Sequence, residues 1–144
     1  MADDVKQIAR RYYEEVFRQR KLEALDELVA PDFVGYSASF GEYTREDMRR
    51  DIARDHANMP EDEIIVDEQI ADGERVMTRW TYRWQHDASL FGEEPTHRWL
   101  SMEGVHIDQI VDDRIVQRWE IKDFFAVAKQ LDLAVGPPIK REAR

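Results

Sequence analysis

Residues 104–123, GVHIDQIVDDRIVQRWEIKD, read as two alternating strands joined by a two-residue acidic turn, and this hairpin constrains the rest of the chain. Side chains alternate sides along a strand, so Ile115, Gln117, Trp119, Ile121 and Asp123 share one face. That face is mostly apolar and ends in a carboxylate. Such a group is either a satisfied structural carboxylate or one whose basicity is tuned for proton transfer. A turn at Asp112-Asp113 pairs Val111 with Arg114, and counting back pairs His106 with Trp119, Gly104 with Ile121 and Met102 with Asp123. His106 and Asp123 then look into one space from opposite ends, roughly 13 Å apart. That is a ligand's length rather than a hydrogen bond, and Gly104 leaves the floor between them without a side chain.

The segments before the hairpin change period once. Residues 4–19 have apolar positions at helical spacing (Val5, Ile8, Tyr12, Val16), with carboxylates at the start to complement the dipole. Residues 22–30 predict a short second helix stopped by Pro31, followed by a strand over 32–36 and a polar loop over 37–42. Thr44 with Asp47 forms a capping-box pattern opening a highly charged third helix that ends before Pro60. From Glu63 the period is two: strands over 64–71, 75–86, 97–110 and 114–123, with turns at Asp72-Gly73 and Asp112-Asp113 and a loop over 87–96. FFAVAKQLDLAV predicts a closing helix. Helices followed by an antiparallel meander is an α+β pattern. A single domain over 1–136 is expected, with 137–144 as a flexible tail beyond Gly136-Pro137-Pro138.

Composition narrows the function. A net charge of −10 argues against nucleic acid, which needs a basic face. The absence of cysteine removes disulfides, thiol chemistry and the sulfur ligands of zinc. No apolar run reaches the roughly 20 residues of a membrane span, and the N-terminus lacks a signal-peptide core, so a cytoplasmic protein is the default. His86 and His97 flank a loop with Glu93 and Glu94, but no ligand spacing on a regular element supports a metal site there.

Along residues 75–86 one face carries Val76, Thr78, Trp80, Tyr82, Trp84 and His86. Trp80, Tyr82, Trp84 and Trp119 either wall a pocket for a planar ligand or pack as ordinary core. Tyr12, Tyr13 and Tyr36 can offer hydroxyls to a ligand oxygen, although helical spacing alone marks Tyr12 and Tyr13 as core. Met102 lies on the His106 face. Asp123 directly precedes a helix, so its competing role is an N-cap.

RRYYEEVF, LEALDELVAPDFV, DGERVMTRWTYR, EEPTHRW and DDRIVQRWEIKD, in this order and spacing, resemble the SnoaL-like polyketide cyclase and ester cyclase family over residues ~8–134. The resemblance implies the nuclear-transport-factor-2-like α+β barrel: a cone of curved antiparallel sheet closed by N-terminal helices. It implies cofactor-independent aldol-type ring closure on a medium-sized apolar carbonyl compound. Asp123 is then the general acid and base, with His106 in the same pocket, and Tyr12, Tyr36, Trp80, Tyr82, Trp84, Met102 and Trp119 line the substrate site. It also implies a homodimer. Gly35-Tyr36, Trp84-Gln85-His86, Pro95-Thr96-His97 and Asp112-Asp113 depart from the family pattern, mostly at the pocket mouth, which points to a different substrate. The competing functions are a hydrolase or isomerase on the same scaffold, needing a second acidic or Arg partner such as Asp108, and a non-catalytic small-molecule-binding or dimerisation module.

Overall fold

The structure is a computed structural model that describes residues 2–133. The expected tail at 137–144 lies outside the described residues.

The first helix, α1 (Ala2–Arg11), runs on into a π-helical stretch, Tyr12–Arg18. The wider turn, closed by Gln19 N–H donating to the Glu14 carbonyl, accompanies burial of the adjacent Tyr12 and Tyr13. A 3₁₀ turn at Leu22–Ala24 leads into α2 (Leu25–Leu28). The strand β1 (Val29–Ser37) starts earlier than Pro31 suggested, because Val29 and Ala30 are already extended and buried. Pro31 falls where the pairing of β1 is irregular, the place in a sheet that tolerates a missing donor. A short β2 (Gly41–Thr44) occupies the end of the expected loop. The capping box forms as expected: Thr44 Oγ1 accepts from Asp47 N–H, and the Asp47 carboxylate accepts from Thr44 N–H. It opens α3 (Arg45–Asn58). Then follow β3 (Asp62–Asp72), β4 (Arg75–Gln85), β5 (Trp99–Val111), β6 (Arg114–Lys122) and α4 (Phe124–Gln130).

The six strands form one curved sheet in the order β2-β1-β6-β5-β4-β3. Two expectations are corrected here. The sheet is mixed, because β1 runs parallel to β6. It is also open, with β2 and β3 as its edges, rather than a closed barrel. The helices lie across its concave face, where Val16, Leu25, Leu28, Val29, Val76 and Ile115 are fully buried. Burying each such side chain contributes roughly 1.5–3 kcal/mol. No helix among the described residues is long and apolar enough to cross a membrane.

The final hairpin departs from simple counting. Asp112 and Asp113 both take positive φ, as a tight mirror-image turn requires, and Val111 does pair with Arg114. Ile110 pairs with Ile115, but Gln109 pairs with Gln117, so Val116 is an extra residue in β6. This bulge moves every later pair by one. His106 pairs with Glu120 rather than Trp119, and Gly104 pairs with Lys122 rather than Ile121. Arg118, Glu120 and Lys122 turn toward the concave face. Trp119 and Ile121 turn outward, 42% and 46% exposed. On the convex face the register aligns Tyr36, Trp119, Ile107, Met77 and Ile70 in one apolar row across five strands.

Gly104 sits opposite Trp80 in the β4–β5 ladder, and a Cβ there would overlap the indole ring. The missing side chain therefore serves the Trp80 ring rather than a ligand lying on bare backbone. Gly104→Ala is expected to cost about 1–3 kcal/mol of folding free energy by overpacking, measured by urea denaturation.

Candidate functional site

A cavity of about 680 Å³ opens between the concave sheet, the π-helical stretch and α3. Its depth is built from alternate residues of β4 (Trp80, Tyr82, Trp84), which share a face because the strand period is two. Phe40, Phe91 and Phe124 line it from three separate segments: the β1–β2 turn, the β4–β5 loop and the start of α4. The rings of Phe40 and Phe91 meet that of Phe124 edge-on. The wall is thus largely apolar, with a polar centre where β5 and β6 meet and the charged Asp51, Arg54 and Asp55 contributed by α3.

Tyr13, His106 and Glu120 form that centre. Tyr13 Oη lies 2.6 Å from His106 Nδ1, and His106 Nε2 lies 2.9 Å from Glu120 Oε2. Burial first, and then the positive charge of Arg118, lower the His106 pKa to about 4, so the ring is neutral at neutral pH. Burial pushes the Tyr13 hydroxyl well above its ordinary value, which keeps it a donor. Burial also pushes the Glu120 carboxyl up, but the His106 hydrogen bond and the surrounding positive charge outweigh this and hold it below the ordinary carboxylate value. A neutral His106 supplies a hydrogen bond and no charge, so the ionised state of Glu120 rests on that bond, Lys122 and Arg118. An ionised carboxylate only accepts, which assigns the ring proton to Nε2 and leaves Nδ1 to accept from Tyr13. Trp80 lies against the same imidazole, ring centroids 5.3 Å apart.

Behind this centre Arg118 donates through Nε and Nη2 to the two Asp108 oxygens, at 2.6 and 3.0 Å, and both side chains are essentially fully buried. The Arg118 guanidinium also stacks on Tyr12, 4.1 Å from the ring centroid. Two further polar atoms belong to cavity-lining residues. Trp80 Nε1 and His86 Nε2 are buried without a hydrogen-bond partner among the described residues. Thr96 N–H donates to His86 Nδ1, so Nε2 carries the proton. No group of three or more His, Cys, Asp or Glu among the described residues is placed to hold a metal ion.

The site residues expected from sequence divide in two. Tyr12, Trp80, Tyr82, Trp84, Met102 and His106 line the cavity. Asp123, Tyr36 and Trp119 do not. β6 ends at Lys122, and Asp123 is an exposed N-cap of α4 whose Oδ1 accepts from Ala126 N–H at 3.0 Å. Tyr36 pairs with Trp119 on the convex face. Tyr13, which the sequence leaves open between core packing and a ligand contact, joins the wall, and sequence reasoning missed Arg118, Glu120 and Lys122 there. Their signal is the alternating polar set Arg118, Glu120, Lys122 opposite the apolar set, legible only once Val116 is recognised as a bulge.

The model of the SnoaL-like polyketide cyclases matches residues 7–131. The chain belongs to this family. Solved structures agree on the fold, which is that of the nuclear-transport-factor-2-like superfamily. IdmH, a candidate polyketide cyclase from Streptomyces antibioticus, is 28% identical over 90% of this chain and 99% of its own, with a TM-score of 0.80. AclR, a candidate hydroxylase from Streptomyces galilaeus, is 21% identical over 96% of this chain and 91% of its own, with a TM-score of 0.84. A candidate polyketide cyclase from Acidithiobacillus ferrooxidans is 22% identical over 92% and 96%, with a TM-score of 0.79. No curated protein matches the chain. A shared fold does not fix the chemistry, which depends on the residues of the site.

A depressed histidine pKa is a statement about stability. The unfolded chain takes up a proton at His106 near pH 6.5, whereas the folded chain refuses it until about 4. The contribution is therefore complete above pH 6.5 and is lost as pH falls through that window. His106→Gln keeps a donor near Glu120 and removes the titration. The stability difference between wild type and this variant is expected to shrink by on the order of 1–3 kcal/mol from pH 7 to 4.5, followed by urea denaturation at each pH.

Proposed function

We propose that this cavity is the active site of a cofactor-independent cyclase that performs general acid–base chemistry of the aldol type on a medium-sized apolar carbonyl compound. The observation that supports this is the Glu120 carboxylate, hydrogen-bonded to His106 and backed by Tyr13, on the wall of a largely apolar cavity. The acid–base role passes from Asp123, which is committed to the α4 cap, to Glu120. Glu120 takes a proton alpha to a carbonyl, and the C–H electron pair moves onto the carbonyl oxygen as an enolate. The enolate carbon attacks a second carbonyl of the same molecule, and the new alkoxide recovers the proton from Glu120. Atoms and electrons balance without a redox partner. An apolar substrate expels water and desolvates Glu120, which raises its basicity for the first step.

A hydrolase or isomerase reading needs a second acid in the cavity. Asp108, the partner expected for it, is consumed by both of its bonds to Arg118 and is absent from the wall, and the α3 carboxylates Asp51 and Asp55 that do line it pair with Arg54. A purely packed module is disfavoured by the cavity itself. We place the second copy of a homodimer on the convex row around Trp119, since a contiguous apolar face of this kind marks an interaction surface.

Exchange of the alpha protons of 2-tetralone in D₂O, followed by NMR, tests the proton-transfer step. Wild type is expected to catalyse it, and Glu120→Gln to lose about 10²-fold or more. Asp123→Ala keeps the exchange and loses about 1 kcal/mol of stability. Undiminished exchange in Glu120→Gln sinks the reading. Separately, Trp119→Lys is expected to sediment as a monomer with exchange activity retained per folded chain.

A further inference from the structure

Three cations line the cavity, and two are already engaged. Arg118 is locked by Asp108 and stacked on Tyr12. Arg54 pairs with Asp51 at 3.3 Å and Asp55 at 3.7 Å. The third, Lys122, donates no hydrogen bond to any described residue, and its closest ion-pair partner is Glu120, with Nζ 3.9 Å from Oε2. That distance is beyond hydrogen-bond reach. The side chain is half-buried, and it faces the cavity only because the bulge at Val116 turned this part of β6 inward. Asp55, on α3, also feels its charge. The wall therefore places a loosely held ammonium beside the carboxylate assigned as base.

We propose that Lys122 is a catalytic residue whose ammonium holds the substrate's carbonyl oxygen and stabilises the enolate formed as Glu120 removes the alpha proton. This rests on the reading of Glu120 above. The geometry suits it. A carbonyl oxygen and its alpha carbon are about 2.4 Å apart from standard bond lengths. An ammonium donor sits about 2.8 Å from the oxygen, and a base approaches to within about 3–3.5 Å of the carbon it deprotonates. An O=C–C unit set against both groups brings donor and base to a separation near the one seen. Charge then develops on an oxygen already facing a cation, in a cavity from which a bound apolar substrate displaces water.

Two measurements test this. The first is binding of 4-nitrophenolate, an enolate-like anion, against its neutral isostere 4-nitrotoluene at pH 8.5. Lys122→Met is expected to raise the Kd of the phenolate about tenfold and leave that of the neutral ligand unchanged, while Lys122→Arg restores most of the loss. Equal loss for both ligands, or no loss, overturns the proposal. The second is 2-tetralone exchange, where Lys122→Met is expected to lower kcat about 10²-fold with little change in KM, and Lys122→Arg to recover part of it. Normal exchange in Lys122→Met overturns the proposal whether or not Glu120→Gln is active. Inactive Lys122→Met beside active Glu120→Gln removes the base and keeps the anion site. Borohydride reduction in the presence of 2-tetralone is expected to leave the protein mass unchanged. A covalent gain at Lys122 replaces the ion-pair role with an imine.

Discussion

One extra residue in β6 decides what this protein's cavity is made of. Without the Val116 bulge, the hairpin would present Trp119 and Ile121 to the helices and send Arg118, Glu120 and Lys122 to solvent, an ordinary amphipathic strand. With it, the charged face goes in and the apolar face goes out. Both results are unfavourable taken alone. Buried charges need partners, and exposed tryptophan and isoleucine lose the burial they would otherwise gain. The arrangement is tolerated because each inward charge meets a complement: Asp108 for Arg118, and His106 with Lys122 for Glu120.

The buried Arg118–Asp108 pair has a role beyond compensation. Replacing a buried ion pair with apolar residues is often neutral or stabilising, so such a pair is weak evidence of a stability function. Its position supplies another. Arg118 sits close enough to His106 to disfavour the imidazolium, and Asp108 keeps the guanidinium fixed in two hydrogen bonds. A neutral His106 is a donor to Glu120 rather than its counter-ion. The carboxylate is left oriented, and Lys122 is the cation facing it.

Much of the fold was legible in the chain. The capping box at Thr44 and Asp47, the acidic turn at Asp112-Asp113, and the inward set Trp80, Tyr82, Trp84 follow from rules that act over a few residues, and all appear in the structure. Features depending on distant partners did not show. The parallel docking of β1 on β6 leaves no local mark, and the open sheet edge follows from which strands fail to meet. Helical spacing marked Tyr12 and Tyr13 as core, and nothing in it reveals that Tyr13 reaches His106, 93 residues away.

Asp123 is the instructive residue, since the structure shows the capping role that the sequence offered beside the catalytic one. Alternation placed it on a face with Trp119 and Ile121, and in that the pattern was right, since all three point away from the cavity. What failed was the premise that the apolar face of a strand is the inner face. That premise holds where the sheet covers a packed core, and it reverses where the sheet covers a site that must carry charge. The interior carboxylate is then found in the polar alternation, at Glu120, while the carboxylate at the strand's end is free to cap the helix that follows.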